Sequence, residues 1–186
     1  MSDRSREIGL IGGVEKRSIE IHSYDPMWPT TFQAHAAIIA AALGDVALRI
    51  EHIGSTAVPG LAAKPIIDIL LVVENSGDEP AYLPRLEAAG YLLRVREPDF
   101  HEHRMFRTPE RDAHLHVFSL GSSEIERYLT FRDRLISNPD ARREYEETKR
   151  DLAARDWPDM DAYARAKTEC VERMIAAARA AREVPT

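Results

Sequence analysis

Two short stretches hold the residue types and spacings that could do chemistry. In the first, Gly54-Ser55 lies thirteen residues before Asp68, the single polar residue in the apolar run Ile66 to Val73. A carboxylate inside a core strand is costly unless a cation, a metal or a set of donors faces it. Glycine lets the backbone approach a ligand closely, and its amides with the serine hydroxyl can hold a phosphate. Asp68 beside such a loop can hold a divalent cation that bridges phosphates. The plain alternative is a tight turn with an Asp hydrogen-bonded to loop backbone. The second stretch is His114-Leu115-His116-Val117-Phe118. Strand alternation puts both imidazoles on one face, where they can ligate a metal, hold a phosphate or carry protons. The alternative there is a solvated polar sheet face. His101 and His103, just before the partner strand, can bring further imidazoles nearby. Zinc lacks the support of a helical HExxH pattern or a cysteine pair.

Cations flank these stretches. Arg104 and Arg107 are odd-spaced on one strand, so at most one shares the histidine face; a guanidinium there would suit phosphate. Tyr145 and Lys149 lie four apart, as do Tyr163 and Lys167. Each pair can stack a base and hold a phosphate, or simply pack with a snorkelling lysine. Cys170 falls on an apolar stripe with Val171, Met174 and Ile175 and reads as core.

The elements that must position these residues follow from pattern. Ile19 and Ile21 alternate into a short strand before Tyr24-Asp25-Pro26-Met27-Trp28-Pro29, which sets up a helix over Thr30 to Leu43 ended by Gly44. Val46, Leu48 and Ile50 lead a strand into Gly54-Ser55, and Ile66 to Val73 is a strand covered on both faces. A helix over Ala81 to Ala89 stops at Gly90, and a strand starts at Tyr91. Arg104 to Arg107 and His114 to Phe118 form a hairpin through a polar turn. Beyond it the chain reads helical: a capping box at Ser123 to Glu126, a break at Asn138-Pro139, and a last helix from Asp161 to about Arg182. The expected plan is an arm over 1–16 and one α+β unit over 17–186, with an α/β part to about 120 and a helical part over about 121–183.

The chain has 186 residues, 44% hydrophobic and 30% charged, with a net charge of -6. That is an ordinary globular composition with room for a full core. The acidic balance argues against a dedicated nucleic-acid binder without excluding a locally basic pocket. One cysteine, no signal-like leader and no run long enough to span a bilayer lead to an expectation of a reducing, cytoplasmic setting with no membrane partner. Oligomeric state is not read from the sequence.

From about Ile19 to Ile175 the chain resembles the GrpB family. The likeness rests on Tyr24-Asp25-Pro26 with Trp28-Pro29, on Glu51-His52-Ile53-Gly54-Ser55-Thr56-Ala57-Val58-Pro59-Gly60-Leu61, and on Lys64-Pro65-Ile66-Ile67-Asp68. His114-Leu115-His116-Val117, Phe131-Arg132-Asp133, Tyr145, Lys149, Tyr163 and Lys167 complete it. The resemblance implies a nucleotidyltransferase-like mixed β-sheet flanked by helices, with a helical C-terminal part facing the site. It implies that Gly54 and Ser55 cradle phosphate, Asp68 binds Mg²⁺, and His114 or His116 serves as proton carrier or metal partner. Arg104, Arg132, Lys149 and Lys167 would then hold or neutralise the phosphates of a nucleotide or related compound. GrpB-like domains also occur fused to dephospho-coenzyme A kinase, which fits a phosphorylated nucleotide ligand. One departure counts against a two-metal transferase: Leu70 stands where nucleotidyltransferases carry a second carboxylate. A non-catalytic binding or accessory module is therefore the alternative. A third expectation, hydrolysis through His114 and His116, resembles histidine-triad hydrolases, but Phe118 occupies the third histidine's position.

Overall fold

The computed structural model describes residues 9–13 and 19–183. Five strands form one sheet in the order β1-β2-β5-β4-β3: β1 Arg49–Ile53, β2 Ile67–Val73, β3 Leu92–Glu97, β4 His103–Arg107 and β5 Ala113–Ser119. Only β2 and β5 pair in parallel, at its centre; the other pairings are antiparallel. The architecture is the expected mixed α+β one.

The apolar run of β2 is explained by cover on both faces. Ile67, Ile69, Leu71 and Val73 join Leu115, Val117 and Phe106 in a core closed by helix α1, Trp28–Leu43, and by α2, Leu83–Ala88. Leu70 and Val72 point the other way, into a second core with Ile53, Phe118, Ile125 and Leu129. Ile125 and Leu129 belong to α3, Ser123–Ser137, the first helix of the C-terminal part. Then follow α4 Pro139–Ala153, α5 Met160–Ala166 and α6 Thr168–Glu183. The third core, where Val58 and Leu61 meet Leu135, Ala141, Tyr145, Cys170 and Met174, ties the loop after β1 to these helices. Cys170 is buried there, as expected.

Several boundaries differ from the sequence reading. The N-cap of α3 is Ser122, whose Oγ accepts from Glu124 N at 3.3 Å, one residue before the expected box. At the Asn138-Pro139 break, Asn138 Oδ1 caps α4 through Ala141 N at 2.8 Å. The last helix is divided: α5 ends at Ala166 and α6 begins at Thr168, leaving Lys167 at the joint. The strand expected at Ile19 to Ile21 is reduced to one bridge, His22 to Ala63. Trp28, in the double-proline segment, is core, with Tyr24 edge-on to its ring at 5.4 Å.

Residues 1–8 and 14–16 of the expected arm lie outside the described residues. Residues 9–13 run along β3: Leu10 bridges Val95, Ile11 N donates to Arg94 O at 2.8 Å, and the Arg94 guanidinium donates to the carbonyls of Ile11 and Gly13. Backbone pairing, absent from a free arm, holds this piece on the sheet. Among the described residues no helix is long and apolar enough to cross a membrane.

Candidate functional site

Asp68 sits second in β2, opposite Ile53 on one side and His114 on the other. Parallel register then sets Leu70 against His116. Asp68, Leu70, His114 and His116 consequently share the face that looks toward the helical part, as period-two alternation requires. His114 Nδ1 lies 3.5 Å and His116 Nε2 3.8 Å from Asp68 Oδ1. The three side chains can offer ligand atoms within 4.8 Å of one another. Burial works against the charge of Asp68, but the two imidazoles outweigh it and hold the carboxyl far below its ordinary range. Burial also keeps His116 below the usual imidazole value, against the pull of Asp68.

The Gly-Ser loop closes over this carboxylate. Gly54 has φ 70° and ψ -170°, a region open essentially to glycine alone. A Cβ there would stand 2.4 Å from Asp68 Oδ2. Gly54→Ala is therefore expected to cost about 1–3 kcal/mol from the backbone alone and to push Asp68 aside. A lowered urea midpoint together with a shifted titration of the Asp68 carboxyl would show both effects; a variant indistinguishable from wild type would show that the loop yields freely.

Around the loop the motif residues act as struts. His52 stacks on Phe32, with centroids 4.7 Å apart, and its Nε2 lies 3.0 Å from Thr56 Oγ1. Thr56 gives its own proton to Ile66 O, so His52 is the donor in that bond. Burial lowers the His52 pKa to about 4, keeping the ring neutral.

A cavity of about 470 Å³ opens beside Asp68, between the sheet face and the helical part. This volume suits a small-molecule ligand. Gly54, Ser55, Asp68, His114, His116, Lys149 and Lys167 all line it, so the fold brings together seven of the nine residues singled out from sequence. Lys149 Nζ donates to Ser55 Oγ at 3.2 Å and to the Ala62 carbonyl, and stands 4.9 Å from the Tyr145 ring centroid. Burial, reinforced by the charge of Lys167, pulls the Lys149 pKa down to about 7. Lys167 is also depressed by burial, with Asp68 opposing.

The two remaining candidates lie elsewhere. Arg104 pairs in register with Val117, on the opposite sheet face, and is tied to Glu79 at 2.6 Å and Glu102 at 3.0 Å. Strand alternation makes Arg107, opposite His114, the arginine of β4 that faces the site. Arg132 donates to Glu51 Oε2 at 2.8 Å and to the His52 carbonyl at 3.1 Å. It clamps the end of β1 and does not line the cavity. Sequence reasoning gave no role to Lys64, Arg94 and Arg111, which also line the cavity, and weighed Arg107 against Arg104 without choosing it. Only Arg107 carried a usable signal, its face relative to the histidines. Phe118 is buried and stacks on His103 at 4.8 Å, so the histidine strand ends in core.

With this geometry in hand, the chain can be compared with known proteins. The family model described as GrpB protein matches residues 18–177. A UPF0157 protein from Halalkalibacterium halodurans is 52% identical over 163 residues, covering 88% of this chain and 84% of that one. The crystal structure of a conserved protein GrpB from Enterococcus faecalis aligns with a TM-score of 0.74 at 32% identity, over 86% of this chain and 96% of that one. A Cid1 poly (U) polymerase structure aligns with a TM-score of only 0.45 at 11% identity, over 70% of this chain and 45% of that one, too distant to bear on activity. The chain belongs to the GrpB family.

Proposed function

We propose that the protein binds a nucleotide or related phosphorylated compound together with a divalent cation, and transfers a nucleotidyl or phosphoryl group from it. One observation carries this reading: Lys149, beside Ser55, and Lys167 line the cavity together with Asp68, in a wall to which Lys64, Arg94, Arg107 and Arg111 also contribute. The whole chain, by contrast, carries a net charge of -6. Burial depresses the pKa values of Lys149 and Lys167 in this wall, and a phosphate group would supply the charge and the acceptors that favour their protonated forms.

In this reading Lys149, Lys167 and Arg107 neutralise the phosphates, and Ser55, already beside Lys149, contacts one of them. Asp68 with His114 and His116 fits a single cation. Among the described residues a second cation has no second carboxylate on this face: Leu70 is fully buried among Ile53, Val72, Phe118, Ile125 and Leu129. A bound divalent ion would bridge phosphate oxygens and offset charge that develops during transfer.

The packing of Leu70 favours a second reading, a module that kept the cavity and lost the chemistry. Titration calorimetry with ATP, CTP and coenzyme A precursors, with and without divalent ions, tests the common part. No binding by wild type, or binding unaffected by the double variant Asp68→Ala and Ser55→Ala, would overturn it. Tight binding with no product after long incubation would select the second reading.

A further inference from the structure

A chain of contacts behind His116 bears on which ion the site takes. His103 Nδ1 lies 2.7 Å from Glu97 Oε2, and His103 Nε2 lies 3.1 Å from His116 Nδ1. His103 is buried, stacked between the rings of His116 at 5.3 Å and Phe118 at 4.8 Å, whereas Glu97 is at the more exposed end. With His103 neutral, the protons along this chain have one arrangement. The Glu97 carboxylate only accepts, so His103 donates from Nδ1 and is left with a lone pair on Nε2. In the ion-bound state His116 then donates from Nδ1, and its Nε2 lone pair is left to the metal beside Asp68.

The front of the site agrees with this. His116 Nε2 and His114 Nδ1 stand 3.8 and 3.5 Å from Asp68 Oδ1, too long for well-formed hydrogen bonds. A carboxylate and imidazole nitrogens thus converge without closing on one another. Two ligands of a tetrahedral zinc-type ion are held about 3.3 Å apart by bond lengths near 2.0–2.1 Å. The two carboxylate–imidazole separations are close to this, and the full set lies within 4.8 Å, so a small inward turn of the imidazoles would complete the site. Imidazole donors suit zinc, cobalt and iron, while magnesium prefers a shell of oxygens and water.

We propose that Asp68, His114 and His116 form a one-ion site for an imidazole-preferring first-row divalent metal of the zinc class, with Glu97 and His103 as positioning residues that fix the metal-binding tautomer of His116. This rests on the cavity reading above and names its cation in place of Mg²⁺. Three protein ligands leave a further position toward the cavity, where a phosphate oxygen or water completes the shell. Outer partners of this kind commonly set metal affinity by 10–100-fold.

The test uses the full chain stripped with a chelator and titrated with Co²⁺, followed by visible ligand-field absorption, with Zn²⁺ and Mg²⁺ as competitors. One Co²⁺ per chain is expected, displaced by stoichiometric Zn²⁺ and unmoved by a large excess of Mg²⁺. His103→Phe, which keeps the stacking, and Glu97→Gln should each weaken Co²⁺ binding about 10–100-fold and alter its spectrum, while the thermal midpoint of the stripped protein is retained. No Co²⁺ spectrum in wild type, displacement by equimolar Mg²⁺, or both variants within twofold of wild type would overturn the proposal. If His103→Phe does not fold, Glu97→Gln decides alone. Phosphate binding by the stripped protein is measured alongside, because it depends on the lysines and arginines. Its loss with Co²⁺ binding intact counts against the cavity reading; its retention with no Co²⁺ binding counts against the metal site alone.

Discussion

Asp68→Asn is expected to strengthen phosphate binding in the absence of a divalent ion and to weaken it in the presence of one. Asp68 is the only described acid lining a cavity with six cationic side chains. Without metal, its charge repels a phosphate, so the neutral isostere should bind phosphate more tightly, roughly 100-fold for unit charges about 6 Å apart at an effective dielectric near 20. With metal, the same carboxylate is the anionic ligand joining protein to ion. Its loss should weaken metal binding at least about 100-fold, and metal-assisted phosphate binding with it. Calorimetry of wild type and variant, each with and without the ion, gives the four values needed. The crossed pattern separates a bridging role from a purely structural one, which would shift all values the same way. Uniform weakening, or metal affinity unchanged in the variant, would remove Asp68 from the role assigned to it.

Phosphate affinity is expected to fall as pH rises above about 7, through Lys149. Burial, then the charges of Lys167, Arg150 and Lys64, depress this lysine to about 7, with Glu146 opposing. Its other neighbours are Ser55, the Ala62 carbonyl and the Tyr145 ring, none of them anionic. A bound phosphate dianion raises the pKa, so binding takes up a proton wherever free Lys149 is neutral and bound Lys149 is charged. Affinity should be level just below pH 7 and fall toward tenfold per unit above it, up to the raised pKa of the complex. Lys149→Met should remove most of that slope and leave a smaller one from Lys167, which burial also depresses. An unchanged slope in the variant would exclude Lys149 as its source. Stability runs the other way. The unfolded chain keeps the lysine proton to higher pH than the folded one, so this residue favours folding increasingly as pH climbs from about 7 toward 10. Urea midpoints across that range, with and without Lys149→Met, check the sign.

Sequence alone determined the local elements and most of the site's cast. The polar residue inside an apolar strand marked Asp68 because no ordinary core contains one. Two-residue spacing placed His114 and His116 together because alternation is a local property of any strand. The Gly54-Ser55 turn was legible for the same reason, and so was the cap at Asn138. Tertiary structure decided what depends on register and on contacts between distant segments. Parallel pairing of β2 with β5 put Asp68 opposite His114, and no local pattern specifies that pairing. The facing of β4 against β5 chose Arg107 over Arg104. The fold turned Arg132 into a clamp on Glu51, set His103 behind His116 and divided the last helix at Lys167. A residue's chemistry is fixed by its type, but its partners are fixed by the three-dimensional pairing of strands and helices.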